Sequence, residues 1–449
     1  MDSPVRYGHA PGALPLVGHA HRFLGDPLPF MMSLPQHGDL VRIKLGTSSA
    51  LVICDPVLAR RALREDRVFD KGGPVISRMR EILGNGLVAC PHSDHRRQRR
   101  LIQTAFRRDR LAGYARTMLE QIEGVVGSWR HGEVLDVPVE TKRLTTNVTV
   151  ASMFANRIAP DQAQQVVDDF ATVSAVGLAR TMVPTALLRL PLPANRRHDQ
   201  ARDRLRTAVK DMIARARTED SDRDDLLSML IRTDEESGDA LTDEEVVDQI
   251  CTFFVAGVDT TANLLASALH LIVHHPALHD ALTDEAARVV AHGPLAYERL
   301  PELPLTERVV TEALRLYPPG WMIARYTAAD TDLGGHRIPA GTFVIVSPYQ
   351  VQRSPAVYDR PEDFDPERWL AADKTGRDAF LPFGAGARKC IGDEFAHIEA
   401  VLAIATIMSR WQLSPVTGPD YVPRCYFNLR PVNLRITVTE PARATRAHL

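Results

Sequence analysis

One cysteine near the C-terminus has neighbours that could prepare it for chemistry. Cys390 lies in the segment Phe383-Gly-Ala-Gly-Ala-Arg-Lys-Cys-Ile-Gly392. Glycines on both sides let the backbone curl around the sulfur and direct N–H groups at it, and Arg388 and Lys389 favour the thiolate over the thiol. Two other interpretations are an incidental buried cysteine and a phosphate-binding loop. The second needs a Gly-Lys-Ser/Thr sequence, which this segment lacks.

A thiolate held in such a loop is a suitable axial ligand for a haem iron. The spacing of Phe383, Gly386, Arg388, Cys390 and Gly392 resembles the haem-ligand signature Phe-x-x-Gly-x-Arg-x-Cys-x-Gly of the cytochrome P450 family. Several spaced identities make a chance match improbable. The resemblance extends over nearly the whole chain, and it implies one haem b with Cys390 as the iron ligand.

An acid followed by an alcohol lies in the middle of the longest predicted helix, in Ala256-Gly-Val-Asp-Thr-Thr261. Gly257 weakens the helix there, so that a local kink with room for water is expected. The segment resembles the oxygen-activation motif of the family, which implies that Asp259 and Thr260 relay protons. Without Cys390, the better interpretation would be a satisfied buried carboxylate and a hydroxyl bonded back one turn.

Several cations resemble the family's partners of the haem propionates. His95-Arg-Arg-Gln-Arg99 resembles its Trp-x-x-x-Arg motif, with His in place of Trp. The i,i+4 spacing puts His95 and Arg99 on one helix face. The resemblance implies that both bind a propionate, and that Arg325 and Arg388 are further partners.

The remaining cysteines read as ordinary thiols: Cys54, Cys90, Cys251 and Cys425. A competing interpretation groups Cys90 with His92 and His95 as a metal cluster. No fourth ligand stands at structural zinc spacing, so we disfavour it.

A charged pair three residues apart, Glu312 and Arg315, resembles the Glu-x-x-Arg motif of the family. Positions three apart share a helix face and can pair, although such a pair alone usually lies on a solvated surface. Its order relative to Cys390 fits the family. The resemblance implies a structural triad with Arg368 of Pro-Glu-Arg-Trp369, bracing the haem-binding core.

Apolar residues beside these motifs are the candidates for substrate contact. They are Val75, Ile76, Leu87, Phe253, Phe254, Trp321, Met322, Ile323, Tyr426 and Phe427. Few of them can hydrogen-bond, which favours a hydrocarbon held by shape. We expect some of them to be ordinary core residues.

The elements that must position these residues are mostly helical. The first 35 residues, rich in Pro and Gly, are predicted to be an extended lead-in. Short β-branched runs predict a hairpin over Asp39–Leu45 and Ala50–Cys54, and small strands near Thr342–Ser347 and Asn433–Thr439. From about Arg96 to Asp332 the pattern is helical. The expected fold is mainly α with a small β portion, the cytochrome P450 fold, as a single domain over residues 1–449.

The longest helix begins at a capping box, Thr242-Asp-Glu-Glu245, and should end before Pro276. At ~30 residues it would span about 45 Å. It is apolar nearly all round, so a transmembrane span is the alternative. Asp259, Asn263 and His270 inside it are costly in lipid and favour a buried central helix.

Composition excludes some classes of protein. The 449 residues carry 54 Lys+Arg against 56 Asp+Glu, a net charge of -2 that draws the chain to neither nucleic acid nor an anionic membrane. Five cysteines in so long a chain do not make a disulfide framework. The N-terminus lacks the pattern of a signal peptide or membrane anchor. We expect a soluble cytoplasmic protein, monomeric.

Together these features predict a haem-thiolate monooxygenase that uses O2 on a hydrophobic terpenoid. The resemblance is greatest to members that oxidise cyclic sesquiterpenes such as pentalenene in antibiotic biosynthesis, where one methyl group can be oxidised repeatedly. The alternatives are a fatty-acid, macrolide or steroid hydroxylase, and a haem-thiolate sensor or isomerase. Without a reductase domain in the chain, an external ferredoxin and ferredoxin reductase must supply electrons. Their expected docking surface is the basic run Arg96, Arg97, Arg99, Arg100, Arg107 and Arg108.

Overall fold

The structure is a computed structural model of the chain. It describes residues 4–46, 48–154, 165–166, 168–169, 172–173, 185–188, 190–218, 225–232, 238–371, 373–416, 422–425 and 427–441. At positions 74, 75, 82, 154, 185, 186 and 422 it describes the backbone alone.

Helices account for most of the described chain. They are α1 Ala20–Gly25, α2 Pro27–Ser33, α3 Pro56–Arg64, α4 Gly73–Leu83, α5 His92–Gln103, α6 Arg108–Val126, α7 Val137–Phe154, α8 Thr185–Leu188, α9 Pro193–Thr218, α10 Leu226–Ile231, α11 Asp243–Val273, α12 Pro276–Ala291, α13 Pro304–Leu316, α14 Pro348–Val351, α15 Lys374–Ala379 and α16 Asp393–Arg410. Short 3-10 helices lie at Pro35–His37, Thr104–Phe106, Tyr297–Glu302, Pro366–Leu370 and Gly386–Arg388. The mainly α class is confirmed.

The strands form one larger sheet and three small ones. They are β1 Tyr7–His9, β2 Leu40–Leu45, β3 Ser48–Ile53, β4 Phe69–Asp70, β5 Glu133–Asp136, β6 Ile323–Thr327, β7 Thr331–Leu333, β8 His336–Ile338, β9 Phe343–Val346, β10 Gln412–Pro415, β11 Val422–Cys425, β12 Leu429–Val432 and β13 Arg435–Thr439. The larger sheet has the order β1-β2-β3-β9-β6-β4, and the others are β10-β13-β5, β11-β12 and β7-β8. The antiparallel β2–β3 pair is the hairpin that the β-branched runs predict.

The N-terminal region contradicts the prediction of an extended lead-in. It contains β1, which pairs in parallel with β2, and the helices α1 and α2. Pro27 stands in the first turn of α2, where its missing N–H breaks no intrahelical bond. Phe23, Phe30 and Met31 are buried in a core cluster beside the main sheet. Proline content therefore misleads here, because tertiary burial orders the segment.

Helix α11 crosses the centre of the structure. Thr242 caps it with a complete capping box: its hydroxyl accepts the Glu245 N–H while the Glu245 carboxylate accepts the Thr242 N–H. Of the described helices, it is the one apolar and long enough to cross a membrane, and 72% of its most apolar window is buried inside the chain. It takes part in two core clusters, one around α6, α12, α13 and α16, the other around α9 and α10. It is a core helix, as its internal polar residues predict.

Candidate functional site

The loop around Cys390 is a tight turn that only glycine permits. The Cys390 N–H donates to the Phe383 carbonyl at 2.9 Å, and the Lys389 N–H donates to the Gly386 carbonyl at 3.1 Å. Gly386 has a φ of 70°, and a Cβ built on it would lie 2.7 Å from the Cα of Arg64 in α3. The turn needs both the left-handed conformation and the absence of a side chain.

Cys390 combines an accessible surface with a position deep in the protein. Its accessible area makes it an exposed residue, yet it is surrounded by enough protein that burial raises the pKa of its thiol. The Gly392 N–H bond to the sulfur and the charges of Arg99 and Lys389 act in the opposite direction and favour the thiolate. The Arg99 guanidinium also donates to the Lys389 carbonyl, tying α5 to this loop.

Arg388 is directed away from the role that the sequence predicts for it beside the thiolate. Its Nη2 donates to Asp70 Oδ1 at 2.8 Å, its Nε to Asp66 Oδ2 at 3.3 Å, and its Nη1 to the Cys90 carbonyl at 2.8 Å. The side chain is 1% exposed, so this network fixes it. Lys389, the other cation that the sequence places beside the thiolate, lowers the pKa of Cys390 together with Arg99.

Four basic side chains converge on the interior near this network: His95, Arg325, Arg388 and Lys71. Burial, together with Arg388 and Lys71, lowers the pKa of His95 to about 3. Burial and the charges of Arg325 and Arg388 lower the pKa of Lys71 to about 7. The pKa of Arg325 falls to about 10, mainly through burial. Burial is the main cause of all three depressed pKa values. Arg325 stays charged at neutral pH and Lys71 does so in part, and neither makes an ion pair with a described carboxylate, so positive charge remains that the described residues do not neutralise.

This excess charge fits an anionic ligand. The buried Nε of Arg325 has no hydrogen-bond partner among the described residues, and the only acids in the network, Asp66 and Asp70, already accept from Arg388. A buried donor without an acceptor is costly. The two propionates of a haem would supply acceptors and negative charge here. Cys390 is near enough to interact electrostatically with Lys71, and its sulfur could bind the iron of the same haem.

Asp259 and Thr260 lie together on α11 as predicted, but residues 243–273 are helical throughout, so the expected kink does not interrupt the helix. The Thr260 hydroxyl donates to the Ala256 carbonyl one turn back. Asp259 Oδ1 lies 3.1 Å from the Nζ of Lys142 in α7. The bonded hydroxyl and the paired carboxylate agree with the structural interpretation given above, in which both residues only satisfy local hydrogen bonds. They are also compatible with a relay, because a donating hydroxyl can still accept.

Glu312, Arg315 and Arg368 meet in one buried network. The Glu312 carboxylate accepts from Arg315 at 2.8 and 2.9 Å and from Arg368 Nε at 2.9 Å. It also accepts from the indole of Trp369 at 2.9 Å. Arg315 donates onward to the carbonyls of Gln352, Pro361 and Asp363. Glu312 and Arg315 are fully buried, and the network ties α13 to the irregular segment that precedes the cysteine loop.

The candidate pocket residues fall into different apolar clusters. Leu87, Phe253 and Phe254 belong to the cluster of α9, α10 and α11, in which Phe254 is 1% exposed. Trp321 and Met322 pack in the N-terminal cluster, and Ile323, the first residue of β6, packs against the apolar cluster between α3 and the main sheet.

Ile76 is buried on α4 and Phe427 is 37% exposed. The side chain of Val75 and the whole of Tyr426 lie outside the described residues. The substrate contacts therefore stay a prediction, and Phe254 and Trp321 have the burial of core residues.

The basic run of α5 is partly neutralised. Arg97 pairs with Asp239 and Glu245, and Arg100 pairs with Asp239. Arg108 lies near Glu394. Arg96 is exposed, without an ion pair to any described residue. The positive surface is thus smaller than the sequence predicts.

Within the described chain, no group of three or more His, Cys, Asp or Glu residues could hold a metal ion, which disfavours the cluster of Cys90, His92 and His95.

Three site residues carry no sequence signal that singles them out. Lys71 lies between a two-residue strand and Gly72-Gly73, Asp70 is in that strand, and Lys142 is one of several charges on α7. Each gains its place only from tertiary contact. Trp369 could have been found, since it directly follows Arg368.

Comparison with known proteins gives the family. The model of the cytochrome P450 family matches residues 9–434, and the chain belongs to that family. It is therefore a haem b monooxygenase, an oxidoreductase. The fold resembles the heme domain of cytochrome P450DA with a TM-score of 0.87, at 26% identity and 98% coverage of both chains.

Among curated proteins, the chain is 44% identical to pentalenene oxygenase of Streptomyces avermitilis, covering 97% of this chain and 98% of that protein. It is 43% identical to cyclooctat-9-en-7-ol 5-monooxygenase of Streptomyces melanosporofaciens, covering 93% and 92%. Cyclooctatin synthase of the same organism is 41% identical, covering 97% and 96%. All three resemble this chain over nearly their whole length.

Proposed function

We propose that this chain inserts one oxygen atom from O2 into an unactivated C–H bond of a cyclic terpenoid, a sesquiterpene hydrocarbon such as pentalenene. The observation that carries the proposal is the 44% identity with pentalenene oxygenase over 97% of the chain. The apolar character of Leu87, Phe253 and Met322 supports it, because a hydrocarbon offers nothing to hydrogen-bond.

In this proposal the haem, when bound, supplies the activation of O2, and the chain supplies its binding and orientation. Cys390 provides the thiolate ligand, held by the Gly386 turn. His95, Arg325, Arg388 and Lys71 receive the propionates. His95 enters this set as a neutral imidazole, since its pKa of about 3 leaves it uncharged at neutral pH.

Asp259 and Thr260 are the proposed proton route. The Thr260 hydroxyl donates to the Ala256 carbonyl, and because a hydroxyl oxygen keeps its lone pairs when it donates, it can still accept a proton or a hydrogen bond. Asp259 is the adjacent group that can hold a proton and remains partly in contact with solvent, with a side-chain exposure of 17%.

The electron donor in this proposal is a separate acidic ferredoxin with its reductase, in the cytoplasm. The exposed Arg96 and the half-exposed Arg100 lie on α5, the helix tied by Arg99 to the cysteine loop. A donor bound there would approach the thiolate side of the site.

The assignment of Cys390 is tested by the carbon monoxide difference spectrum of the reduced protein. We expect the red-shifted Soret band of a thiolate complex in the native chain and its loss in Cys390→His with haem retained. The Soret band of an imidazole complex in the native chain would overturn the assignment.

A second candidate substrate is a cyclic terpenoid alcohol, favoured by the 43% identity with cyclooctat-9-en-7-ol 5-monooxygenase. Spectral-shift titrations with pentalenene, cyclooctat-9-en-7-ol, a long-chain fatty acid and a macrolide separate the possibilities. Tightest binding and turnover of pentalenene supports the first proposal. Preference for the alcohol supports the second, and preference for the fatty acid or macrolide overturns both.

A further inference from the structure

We propose that Lys142 is a positioning residue for Asp259, holding its carboxylate in the orientation that the proton route requires. The proposal rests on the proposed role of Asp259 and Thr260, and it assigns a role to a residue of α7 that no motif identifies.

The polar face of α7, Lys142, Thr145 and Thr149, meets consecutive residues of α11. The Nζ of Lys142 lies 3.1 Å from Asp259 Oδ1, and the Thr145 hydroxyl donates to the Val258 carbonyl at 3.1 Å. A Cβ on Gly257 would lie 3.4 Å from the Thr149 hydroxyl. Spacings of three and four residues place these side chains on one helix face. Each residue of this polar face therefore meets one residue of α11: Lys142 meets Asp259, Thr145 meets Val258 and Thr149 meets Gly257.

Thr145 fixes the register of this contact. It is fully buried, and the single proton of its hydroxyl is shared between the Val258 carbonyl of α11 at 3.1 Å and the Lys142 carbonyl of α7 at 3.2 Å. Leu144 and Val148, which flank it on α7, are buried in the large core cluster. Sliding α7 along α11 would break the Thr145–Val258 bond and disturb the buried packing of Leu144 and Val148, so these contacts hold Lys142 opposite Asp259.

The ion pair makes the two oxygens of the Asp259 carboxylate unequal, because Lys142 contacts only one of them. Lys142 engages Oδ1, and its three donors allow it to follow that oxygen without a fixed angle. Oδ2 makes no hydrogen bond to a described residue, and the proposal assigns to this oxygen the exchange of a proton with the route through Thr260. Both side chains keep some contact with solvent, with exposures of 24% for Lys142 and 17% for Asp259. The pair therefore lies at the outer end of the proton route.

Misplacing the carboxylate should change the fate of reduced oxygen. The productive reaction combines O2, two electrons, two protons and one C–H bond to give a hydroxylated product and water. When the protons are not delivered in the productive order, the same O2, two electrons and two protons are released as hydrogen peroxide and the substrate is not oxidised. The peroxide fraction of the electrons consumed thus reports on proton delivery, whereas a purely structural role would not change it.

The test uses the haem-loaded enzyme with a surrogate ferredoxin and reductase. For Lys142→Met we expect the peroxide fraction to rise about threefold to tenfold, a part of what a proton-transfer group itself contributes. Lys142→Arg should restore most of the coupling. Arg143→Met is the matched control, since Arg143 is the adjacent residue of α7 and pairs with Glu140 instead. Thr145→Val should produce a smaller rise, through loss of register.

A thermal double-mutant cycle shows whether the pair exists in solution. Lys142→Met and Asp259→Asn should each lower the melting temperature, and the double variant should lower it by less than the sum. An unchanged peroxide fraction in Lys142→Met, with a raised one in Asp259→Asn, would overturn the role of Lys142 and leave the proton route intact. An unchanged fraction in Asp259→Asn would overturn the route itself and this proposal with it.

Discussion

The guanidinium of Arg388, two residues before Cys390, lies 2.8 Å from Asp70 in the short strand β4. It joins the cysteine loop to a segment that is more than 300 residues away in sequence. Arg388 also makes a second ion pair, with its Nε 3.3 Å from Asp66 Oδ2, and its side chain is 1% exposed. The same segment carries Lys71 into the interior. Arg388 therefore anchors two segments at once, the loop that contains Cys390 and the segment from Asp66 to Lys71 that places a second cation near it.

Removing the charge of Asp70 should destabilise the protein by about 2 kcal/mol. The cost lies below the usual range for breaking a buried pair because Asp66 still faces Arg388. Asp70→Asn should also lower haem retention, since the Lys71 segment loses its anchor. Urea unfolding and haem content per chain measure the two effects. Asp330→Asn, which breaks the exposed pair with Arg337, is the control and should change neither. Equal stability of Asp70→Asn and the native chain would contradict this account.

Glu312→Gln should be the most damaging of these single changes, destabilising the fold by about 3–5 kcal/mol. It leaves Arg315, which is fully buried, and Arg368 without a countercharge. The amide can accept only part of the hydrogen bonds that the carboxylate accepts. We expect little soluble haem-loaded protein, with the remainder melting at a lower temperature.

Glu302→Gln provides the comparison for Glu312, because Glu302 makes an i,i+3 pair with Arg299 at the surface. If the two substitutions had similar effects, the buried network would not carry the stability assigned to it.

The sequence predicts the site best where the chemistry is local. The capping box at Thr242 and the glycine turn before Cys390 each lie within a few residues, so local spacing predicts them, and the structure contains both. The acid–alcohol pair on α11 is also local in sequence, but its role as a proton route depends on Cys390 and stays a prediction. The hairpin β2–β3 follows from its β-branched runs in the same way.

Prediction fails where a residue acts through tertiary contact. Arg388 is predicted to favour the thiolate because it is near Cys390 in sequence, and its pairing with Asp70, 318 residues away, has no signal in the sequence. Its predicted contact with a propionate stays a prediction. Lys71 and Lys142 have no distinguishing neighbours, and the structure alone places them beside Arg325 and Asp259. The N-terminal helices are missed because Pro and Gly suggest extended chain, although burial of Phe23 and Phe30 orders them.

Acid should destabilise the fold partly through His270, near the end of α11. Burial, together with His274 and His275, lowers its pKa from 6.5 to about 4. Between these values the unfolded chain binds the proton more readily, so the free energy of unfolding falls as the pH falls from 6.5 to 4. Because the ring is partly reached by solvent, we expect a contribution of about 1 kcal/mol at pH 5.

Urea unfolding at pH 5 and pH 7 measures this effect. His270→Gln should lose less stability between the two pH values than the native chain does. His292→Gln, in the exposed turn after α12, should keep the native pH dependence. The same acid loss in His270→Gln and the native chain would exclude His270 as its source.

Electron transfer should depend on Arg96 more than on the other arginines of α5. Arg96 is exposed without a described ion pair, while Arg97 and Arg100 already face Asp239. Arg96→Glu reverses an unneutralised charge near the loop that Arg99 ties to α5. With an acidic ferredoxin, we expect the rate of reduction to fall about tenfold at low salt and to lose most of its salt dependence. Arg337→Glu, on the β7–β8 hairpin, should leave both unchanged. Stopped-flow reduction across a salt series decides between these outcomes, and equal salt dependence in Arg96→Glu and the native chain would place the docking surface elsewhere.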